Sequence, residues 1–324
     1  MFQATALSSW RKRMSSDVVK VDPMTLHIGA EISGVDLSKP LSEIQRTAIY
    51  EAFLKWKVVF FRGQDLDHAG HVSFARQMGE PTIGHAVFGH VEEYPEIYSV
   101  AKFRTAQVNP AMKMAKPWTG WHTDITAAIN PPMASILRGV TVPPYGGDTL
   151  WTNLAVAYQG LSETMRSIVD SLRGVHRFQA AADTGNAAYN ERVKRREMET
   201  EHPLVTVHPE TGERQLFVSP SFLKSIVGFS PRESEMLLQF LWEHVVRTEY
   251  TVRFKWQPGD IAMWDNRSTA HLAPTDIFAS DFDRQLYRIT LVGEVPTGID
   301  GKASVSLKGE PILAVETELT SAAS

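Results

Sequence analysis

Residues 252–264 read Val-Arg-Phe-Lys-Trp-Gln-Pro-Gly-Asp-Ile-Ala-Met-Trp, and this stretch decides the fold class of the chain. Two short runs rich in β-branched and aromatic residues flank a Pro-Gly-Asp turn, a pattern typical of two strands joined by a tight connection. Similar short runs occur at 58–61, 134–137, 205–208, 216–218 and 286–292. Many short strands separated by turns predict a mainly β fold of two sheets, such as a double-stranded β-helix (jelly roll).

Helices are predicted to flank the sheets. Ser42 with Gln45, and Ser230 with Glu233, have the spacing of a capping box, in which each partner satisfies a free backbone N–H group. Apolar residues recur behind both pairs at helical spacing. A parallel α/β fold is the alternative, and it is disfavoured because the strands cluster late in the chain instead of alternating with helices.

The chain shows no internal repeat and no low-complexity linker, so we expect a single domain over residues 19–300. Residues 1–18 are expected to form a flexible N-terminal segment, and residues 301–324 a C-terminal tail. The basic stretch at 10–14 is followed by no apolar run, so it is a poor secretory signal. A cytoplasmic location is therefore the default expectation, with an organelle-targeting role of residues 1–18 as a minor alternative.

Composition restricts the chemistry that the chain can perform. The sequence contains no cysteine, which excludes disulfides and thiolate metal ligands. The formal net charge of −4 gives no electrostatic footprint for nucleic acid, so no such partner is expected. No run of about eighteen apolar residues occurs, so no membrane span is expected. Any metal must be bound by nitrogen and oxygen atoms.

The sharpest chemical feature is the segment 120–124, Gly-Trp-His-Thr-Asp. In an extended segment, residues i and i+2 point to the same face, so His122 and Asp124 can offer an imidazole and a carboxylate to one ion. His271 is the candidate third ligand. Two histidines and one carboxylate on one octahedral face leave three positions open, which is the arrangement of iron(II) oxygenases. The alternative is a chance occurrence, because an isolated His-x-Asp is a weak signal.

The other nine of the eleven histidines have no such context. We expect them to be mostly surface or capping residues. His244 is one example, because it lies near the C-terminal end of a predicted helix, where a partly charged imidazole interacts favourably with the helix dipole.

Arg284 and Arg288 follow the candidate ligand His271 and are four positions apart. On a strand they would face the same side and could hold two different anions in one cavity. The planar guanidinium suits this role because it binds carboxylate or sulfonate oxygens in bidentate fashion. The alternative, which the sequence leaves open, is a pair of surface ion pairs with Asp281 and Asp283.

Several segments together resemble the taurine/alkylsulfate dioxygenase family. The matching segments are 58–64 (Val-Val-Phe-Phe-Arg-Gly-Gln), 120–124, 143–149 (Pro-Pro-Tyr-Gly-Gly-Asp-Thr), 202–205 (His-Pro-Leu-Val), 258–260, 264–267 and 284–288. They cover roughly residues 24–300 in the order and at the intervals of that family. The segment between His271 and Arg284 is slightly longer than the family usually has, although the four-residue spacing of the two arginines is kept.

This resemblance implies a cofactor and two cosubstrates, which are Fe(II), 2-oxoglutarate and O2. The implied Fe(II) ligands are His122, Asp124 and His271. The implied anchors of the 2-oxoglutarate carboxylate are Thr149 and Arg284, with the arginine making a bidentate pair.

The resemblance also implies where the substrate binds. Arg288 corresponds to the residue that meets the acidic head of the substrate, and His85 would assist it. Trp264 and Asp265 are expected to support the fold instead of contacting substrate. Three further residues are candidate pocket walls that could equally be core residues: Val87, Phe88 and Phe222.

The implied reaction couples hydroxylation of a small anionic organic substrate to the oxidative decarboxylation of 2-oxoglutarate to succinate and CO2. An alkyl sulfate or alkanesulfonate, with release of sulfate or sulfite, is the favoured substrate, and an aryloxyalkanoate or another carboxylate is the alternative. The family also implies a homo-oligomer, either a dimer or a tetramer. Two other classes stay open at this point: a zinc hydrolase with the same ligands, and a binding or sensing module without turnover.

Overall fold

A computed structural model describes residues 19–85, 89–101, 116–117, 119–178, 191, 194 and 196–322. The strands are β1 Lys20–Pro23, β2 Ala30–Ser33, β3 Val58–Phe61, β4 Tyr98–Ala101, β5 Ala134–Thr141, β6 Thr149–Asn153, β7 Arg173–Phe178, β8 Met198–Pro203, β9 Val205–Val207, β10 Arg214–Leu216, β11 Leu223–Ile226, β12 Thr251–Phe254, β13 Ile261–Asp265, β14 Thr269–Leu272, β15 Gln285–Leu291 and β16 Val305–Lys308. The α-helices are α1 Glu43–Trp56, α2 His68–Met78, α3 Leu154–Gln159, α4 Glu163–Val169, α5 Pro231–Val245 and α6 Val315–Ala322. Short 3₁₀ turns cover Thr248–Tyr250 and Thr275–Ala279.

Two sheets face each other around the site. A seven-stranded sheet has the order β1-β2-β3-β13-β5-β15-β4, and a three-stranded sheet has the order β12-β6-β14. Alternation along β3 shows how the large sheet is covered on both faces: Val58 and Phe60 pack toward the small sheet, while Val59 and Phe61 pack toward α1 and α2. Two further sheets have the orders β11-β7-β8-β16 and β10-β9. The predicted mainly β, jelly-roll class is confirmed, and the parallel α/β alternative is wrong.

Aromatic side chains fill the space between these two sheets. Phe60 of β3 stacks on Phe254 of β12 with ring centroids 4.1 Å apart. Trp151 of β6 meets Trp264 of β13 edge to face at 5.6 Å. All four are almost completely buried, and rings of this size dominate the burial energy of a core. The packing fixes β6 and its neighbour β14, which carry two of the predicted site residues.

The helices lie outside the sheets, as the sequence predicts. Both capping boxes form, Ser42 with Gln45 at α1 and Ser230 with Glu233 at α5. Ile49 and its neighbours on α1 pack with α2 against the outer face of the large sheet. Within the described ranges, we find no helix that is both long enough and apolar enough to cross a membrane.

The two chain ends differ in what the structure shows. The predicted flexible segment 1–18 lies outside the described residues. The predicted C-terminal tail is instead folded onto the domain: β16 pairs with β8, and α6 begins at the buried Val315. The backbone N–H of Val315 donates to Pro81 O at 2.9 Å. These residues are ordered parts of the domain because both their backbone groups and their apolar side chains find partners on it.

The expectation that most remaining histidines lie at the surface or cap helices is wrong for several of them. The fully buried ones are His71, His176, His202 and His208. His202 Nε2 donates to Thr126 O at 2.8 Å, and its Nδ1 lies 2.6 Å from Ser304 Oγ. Burial lowers the pKa of His202 to about 4, so the ring is neutral at physiological pH. A neutral imidazole can be buried because it offers one donor and one acceptor.

Candidate active site

The predicted metal ligands come together where the segment after Gly120 meets β14. His122 and His271 form an isolated antiparallel bridge, with backbone N···O distances of 2.9 and 2.7 Å. The side chain of Thr123 points away and donates to Thr269 O at 2.7 Å, as the alternation of an extended segment requires. One ligand atom from each of His122, Asp124 and His271 lies within 4.8 Å of the others. The structure therefore brings the three predicted ligands together.

Hydrogen bonding orients the first of these ligands. His122 Nδ1 donates to Gly120 O at 3.0 Å, which leaves the lone pair on Nε2, 4.0 Å from Asp124 Oδ1. A hydrogen bond from the other ring nitrogen is the usual way that a metal-binding histidine is oriented. His271 is buried, and its Nδ1 has no hydrogen-bond partner among the described residues. Two imidazoles and a carboxylate in this arrangement suit a divalent transition metal.

A chain of hydrogen bonds holds Asp124 in place. Ser135 Oγ donates to Asp124 Oδ2 at 2.6 Å and accepts from Asn266 Nδ2 at 2.9 Å. Asn266 Oδ1 in turn accepts from Trp264 Nε1 at 2.9 Å. Trp264 also packs against His271, with ring centroids 4.9 Å apart, and thus supports two of the predicted ligands. Sequence reasoning missed Ser135 and Asn266: the asparagine stands inside the quoted motif 264–267, whereas nothing in the sequence marked the serine.

Arg288 also contacts the metal-binding carboxylate. Its Nη1 donates to Asp124 Oδ1 at 2.6 Å. Burial alone would raise the pKa of Asp124, but the charges of Arg288 and His271 outweigh it and hold that pKa well below its usual range. The Asp124 side chain is therefore ionised, as a metal ligand must be.

The two arginines are not surface residues. Arg284 is 7% exposed, the Arg288 side chain is 12% exposed, and neither forms a side-chain ion pair with Asp281 or Asp283. Arg288 Nε is buried with no hydrogen-bond partner among the described residues. The surface-pair alternative is therefore wrong, and Arg288 still has a donor to offer.

His85 lies close to Arg288. Both residues contact Tyr98, the histidine ring at 4.8 Å between centroids and the guanidinium carbon at 5.4 Å from the ring centre. Burial, with a smaller contribution from the charge of Arg288, lowers the pKa of His85 to about 3. Neutral His85 therefore adds no charge beside the ion pair of Arg288 with Asp124. Among the candidate wall residues, Val87 and Phe88 lie outside the described residues, whereas Phe222 is half-buried near Phe178.

The predicted 2-oxoglutarate anchors lie at the ends of two facing strands. Thr149 begins β6, is almost completely buried, and accepts a hydrogen bond from Trp256 Nε1 at 3.0 Å. Arg284 immediately precedes β15, and its Nε donates to Gly147 O at 3.0 Å. Burial lowers the pKa of Arg284 to about 10, so the guanidinium stays charged at neutral pH. The two anchors are thus brought to the same turn, since Gly147 is two residues before Thr149.

Gly147 makes this approach possible. Its φ of +65° is rarely adopted by other residues, and a Cβ at this position would lie 3.0 Å from Arg284 Cδ. Asp276 closes the same turn by accepting from Gly147 N at 3.3 Å. Asp276 belongs to the 3₁₀ turn in the segment between His271 and Arg284 that is slightly longer than expected. This segment therefore contacts the same turn as the predicted cosubstrate anchor Arg284.

A separate cavity of about 410 Å³ is lined by none of the predicted metal ligands or anion anchors. It is lined by residues such as Thr206, Phe217 and Ile299, and it touches the site only through Asn266 and Arg267. Arg267 is already occupied there by a bidentate pair with Asp265.

Comparison with known proteins identifies the family of this chain. The family described as "Taurine catabolism dioxygenase TauD, TfdA family" matches residues 20–290, which include all three ligands and both arginines. The chain belongs to this family. The resemblance read from the sequence is thereby confirmed, together with the jelly-roll fold and the 2-oxoglutarate-dependent dioxygenase class.

Several TauD/TfdA relatives are similar over most of the chain. An alpha-ketoglutarate-dependent sulfate ester dioxygenase from Pseudomonas putida is 40% identical over 293 residues, covering 88% of this chain and 93% of the relative. An alkylsulfatase from Acinetobacter baylyi is 40% identical over 301 residues, covering 90% and 88%. A solved structure of a taurine dioxygenase from Burkholderia xenovorans is 59% identical with a TM-score of 0.81, covering 90% and 96%.

Proposed function

We propose that this protein is an Fe(II)- and 2-oxoglutarate-dependent dioxygenase that oxidises an alkyl sulfate or alkanesulfonate and releases sulfate or sulfite. One observation carries the proposal: a two-histidine, one-carboxylate group lies beside two buried arginines that serve different places. Arg284 faces the turn before Thr149, whereas Arg288 faces the metal group. Two separate cationic anchors suit a reaction that needs two different anions in one site.

His122, Asp124 and His271 would hold the iron. Three protein ligands on one octahedral face leave three positions for the cosubstrates. When bound, iron(II) supplies the activation of O2 that oxidises both 2-oxoglutarate and a C–H bond of the substrate. The chain's own contribution at this point is to keep Asp124 ionised and fixed through Ser135 and to direct the free nitrogen of His122 inward.

Thr149 and Arg284 would hold a carboxylate of 2-oxoglutarate. The hydroxyl of Thr149 already accepts from Trp256, so its own proton can be donated to a carboxylate oxygen. Arg284 uses Nε for Gly147 O, and its outer nitrogens suit the other oxygens of the same carboxylate. A charged guanidinium with little exposure to water binds such an anion more strongly than a surface arginine does.

Arg288, assisted by neutral His85, would hold the sulfate or sulfonate head so that the adjacent carbon lies over the metal group. This is a positioning role, because reaction requires the C–H bond to be held close to the reacting centre. One oxygen atom of O2 enters that carbon and the other enters succinate. The hydroxylated ester then breaks its C–O bond, the electron pair leaves with sulfate, and an aldehyde remains. The names of the relatives support a substrate with an oxidised sulfur group.

The test is reconstitution with Fe(II), 2-oxoglutarate and O2 in the presence of hexyl sulfate, taurine or 2,4-dichlorophenoxyacetate. Succinate would be measured together with sulfate, sulfite and phenol. We expect substrate-dependent succinate accompanied by sulfate or sulfite. Phenol release would move the enzyme to the aryloxyalkanoate branch, and a lack of succinate with every substrate would overturn the proposal.

A further inference from the structure

A cavity of about 340 Å³ is lined by His85 and Ile125, and the C-terminal segment forms part of its wall. Its apolar lining consists of Ile83, Ile125, Met198, Pro311, Ile312 and Leu313. Ile125 directly follows Asp124 in the sequence, and His85 and Arg288 both contact the ring of Tyr98, at 4.8 and 5.4 Å. The inner end of the cavity, where His85 and Ile125 lie, is therefore near the proposed substrate anchor Arg288.

The C-terminal wall of this cavity is held firmly. Asn130 accepts from the backbone N–H of Ile312 at 2.8 Å and donates to its carbonyl at 2.9 Å. Three residues further on, Val315 is buried and its backbone donates to Pro81 O at 2.9 Å. This wall lies beyond residue 290, where the family match ends. The family match therefore does not include this wall.

The two ends of the cavity differ in charge. Arg288 and neutral His85 lie at the inner end. The outer end is lined by one cation and three carboxylates, Arg196, Glu197, Glu310 and Glu318. The single cation is already paired, because Arg196 lies 3.3 Å from Glu318. Glu197 is also paired, with Lys308. Arg288 Nε, buried without a hydrogen-bond partner among the described residues, remains a donor for an anionic head, and the apolar lining suits an alkyl chain.

We propose that this cavity binds the alkyl chain of the substrate, and that Ile312 and Leu313 set the chain length that the enzyme prefers. The proposal rests on the function proposed above and narrows its substrate to sulfate esters or sulfonates with a medium-length apolar chain. Each methylene that enters the cavity should lower the substrate KM about fourfold, because burying one is worth about 0.8 kcal/mol.

The experiment uses the full chain and the series ethyl, butyl, hexyl and octyl sulfate. KM is measured from sulfate release, and dissociation constants are measured by calorimetry without O2. In the wild type we expect affinity to rise with chain length until the cavity is full. In Ile312→Trp the indole fills the space of about two methylenes, so octyl sulfate should lose about 15-fold more affinity than ethyl sulfate.

Leu307→Trp is the matched control, because Leu307 is an apolar residue of the same C-terminal segment that is 52% exposed on β16 and lies outside the cavity lining. It should keep the wild-type dependence on chain length. The cavity assignment is overturned if wild-type affinity does not change with chain length, or if Ile312→Trp shows the wild-type dependence on chain length. In either case, turnover of ethyl sulfate leaves the proposed function standing. If no ester is turned over, the proposed function fails, and the calorimetric series alone then decides whether the cavity binds alkyl chains.

Discussion

The proposed metal end, which consists of His122, Asp124, His271 and their hydrogen-bond partners, differs from the proposed alkyl cavity in the kind of contact that holds its side chains. At the metal end, buried polar groups are oriented by specific partners, such as Ser135 on Asp124 and Gly120 on His122. The alkyl cavity, defined by its six apolar lining residues, presents side chains without directional contacts. A lost polar partner leaves a buried group unsatisfied at a cost of about 1–3 kcal/mol, whereas a methylene contributes about 0.8 kcal/mol. Substitutions at the metal end should therefore reduce activity strongly, whereas substitutions in the alkyl cavity should mainly change which substrates are accepted.

Removal of a metal ligand should have the largest effect at the metal end. His122→Ala should abolish turnover of every substrate whatever its chain length, because two protein ligands do not retain the iron. Iron content by atomic emission and succinate formation check this. His27→Ala, a change of a histidine remote from the three-ligand group, should keep both. Normal activity of His122→Ala with full iron occupancy would refute the ligand assignment.

A milder change at the metal end should weaken iron binding without changing substrate preference. Ser135→Ala removes the hydrogen bond to Asp124 Oδ2, and partners of this kind typically contribute about 10–100-fold to metal affinity. We expect a higher iron concentration for half-maximal activity and an equal effect on ethyl and octyl sulfate. Ser167→Ala, on the exposed helix α4, is the control. Unaltered iron affinity would show that Ser135 does not support the ligand.

Substitution of Arg284 and of Arg288 should affect the binding of two different anions, 2-oxoglutarate and the substrate. Arg288→Ala should raise the substrate KM by about 10–100-fold, corresponding to a charged hydrogen bond of about 1.5–3 kcal/mol, and should raise the 2-oxoglutarate KM far less. Arg284→Ala should show the reverse. Iron content must be measured in parallel because Arg288 also contacts Asp124. An equal rise of both constants, or a selective effect of Arg288→Ala on 2-oxoglutarate, would mean that the two roles are wrongly assigned.

The smallest effect concerns the support of the metal end by His202, which binds Thr126 two residues after Asp124. The pKa of His202 is about 4 in the folded protein and about 6.5 in an unfolded chain. The unfolded state therefore binds more protons between these values, so stability is complete above pH 6.5 and falls as the pH is lowered toward 4.

His202→Phe should reduce this loss of stability on acidification, although it should also cost about 1–3 kcal/mol at pH 7 by leaving Thr126 O without its donor. Urea unfolding at pH 7.5 and pH 5 measures both. Part of the dependence of stability on pH should remain in His202→Phe, because burial also lowers the pKa of His71 and His176. An identical difference between the two pH values in both proteins would contradict the role given to His202.

Features with a local spacing could be predicted from the sequence. The His-x-Asp pair and both capping boxes follow from the regular spacing of side chains along an extended segment or a helix. The sequence alone therefore predicts their residues. Arg284 and Arg288 were predicted by the same reasoning, although their burial was not.

Features that depend on tertiary contacts could not be predicted in this way. Ser135 reaches Asp124 from β5, and no pattern in the sequence connects the two positions. The buried histidines looked like surface residues because their partners come from distant strands. The sequence predicts a tail for the C-terminal segment because it contains few apolar residues. Its position on the domain depends on a tertiary contact, the hydrogen bonds between Asn130 and the backbone of Ile312.

The most direct test of the central claim is the stoichiometry of sulfate release from octyl sulfate with and without O2 and 2-oxoglutarate. We predict one succinate and one octanal for each sulfate, and no release when either cosubstrate is withheld. Sulfate release without O2, with octanol as the product, would contradict the account and indicate a metal-dependent hydrolase. Binding of octyl sulfate and 2-oxoglutarate without any succinate would instead indicate a binding module.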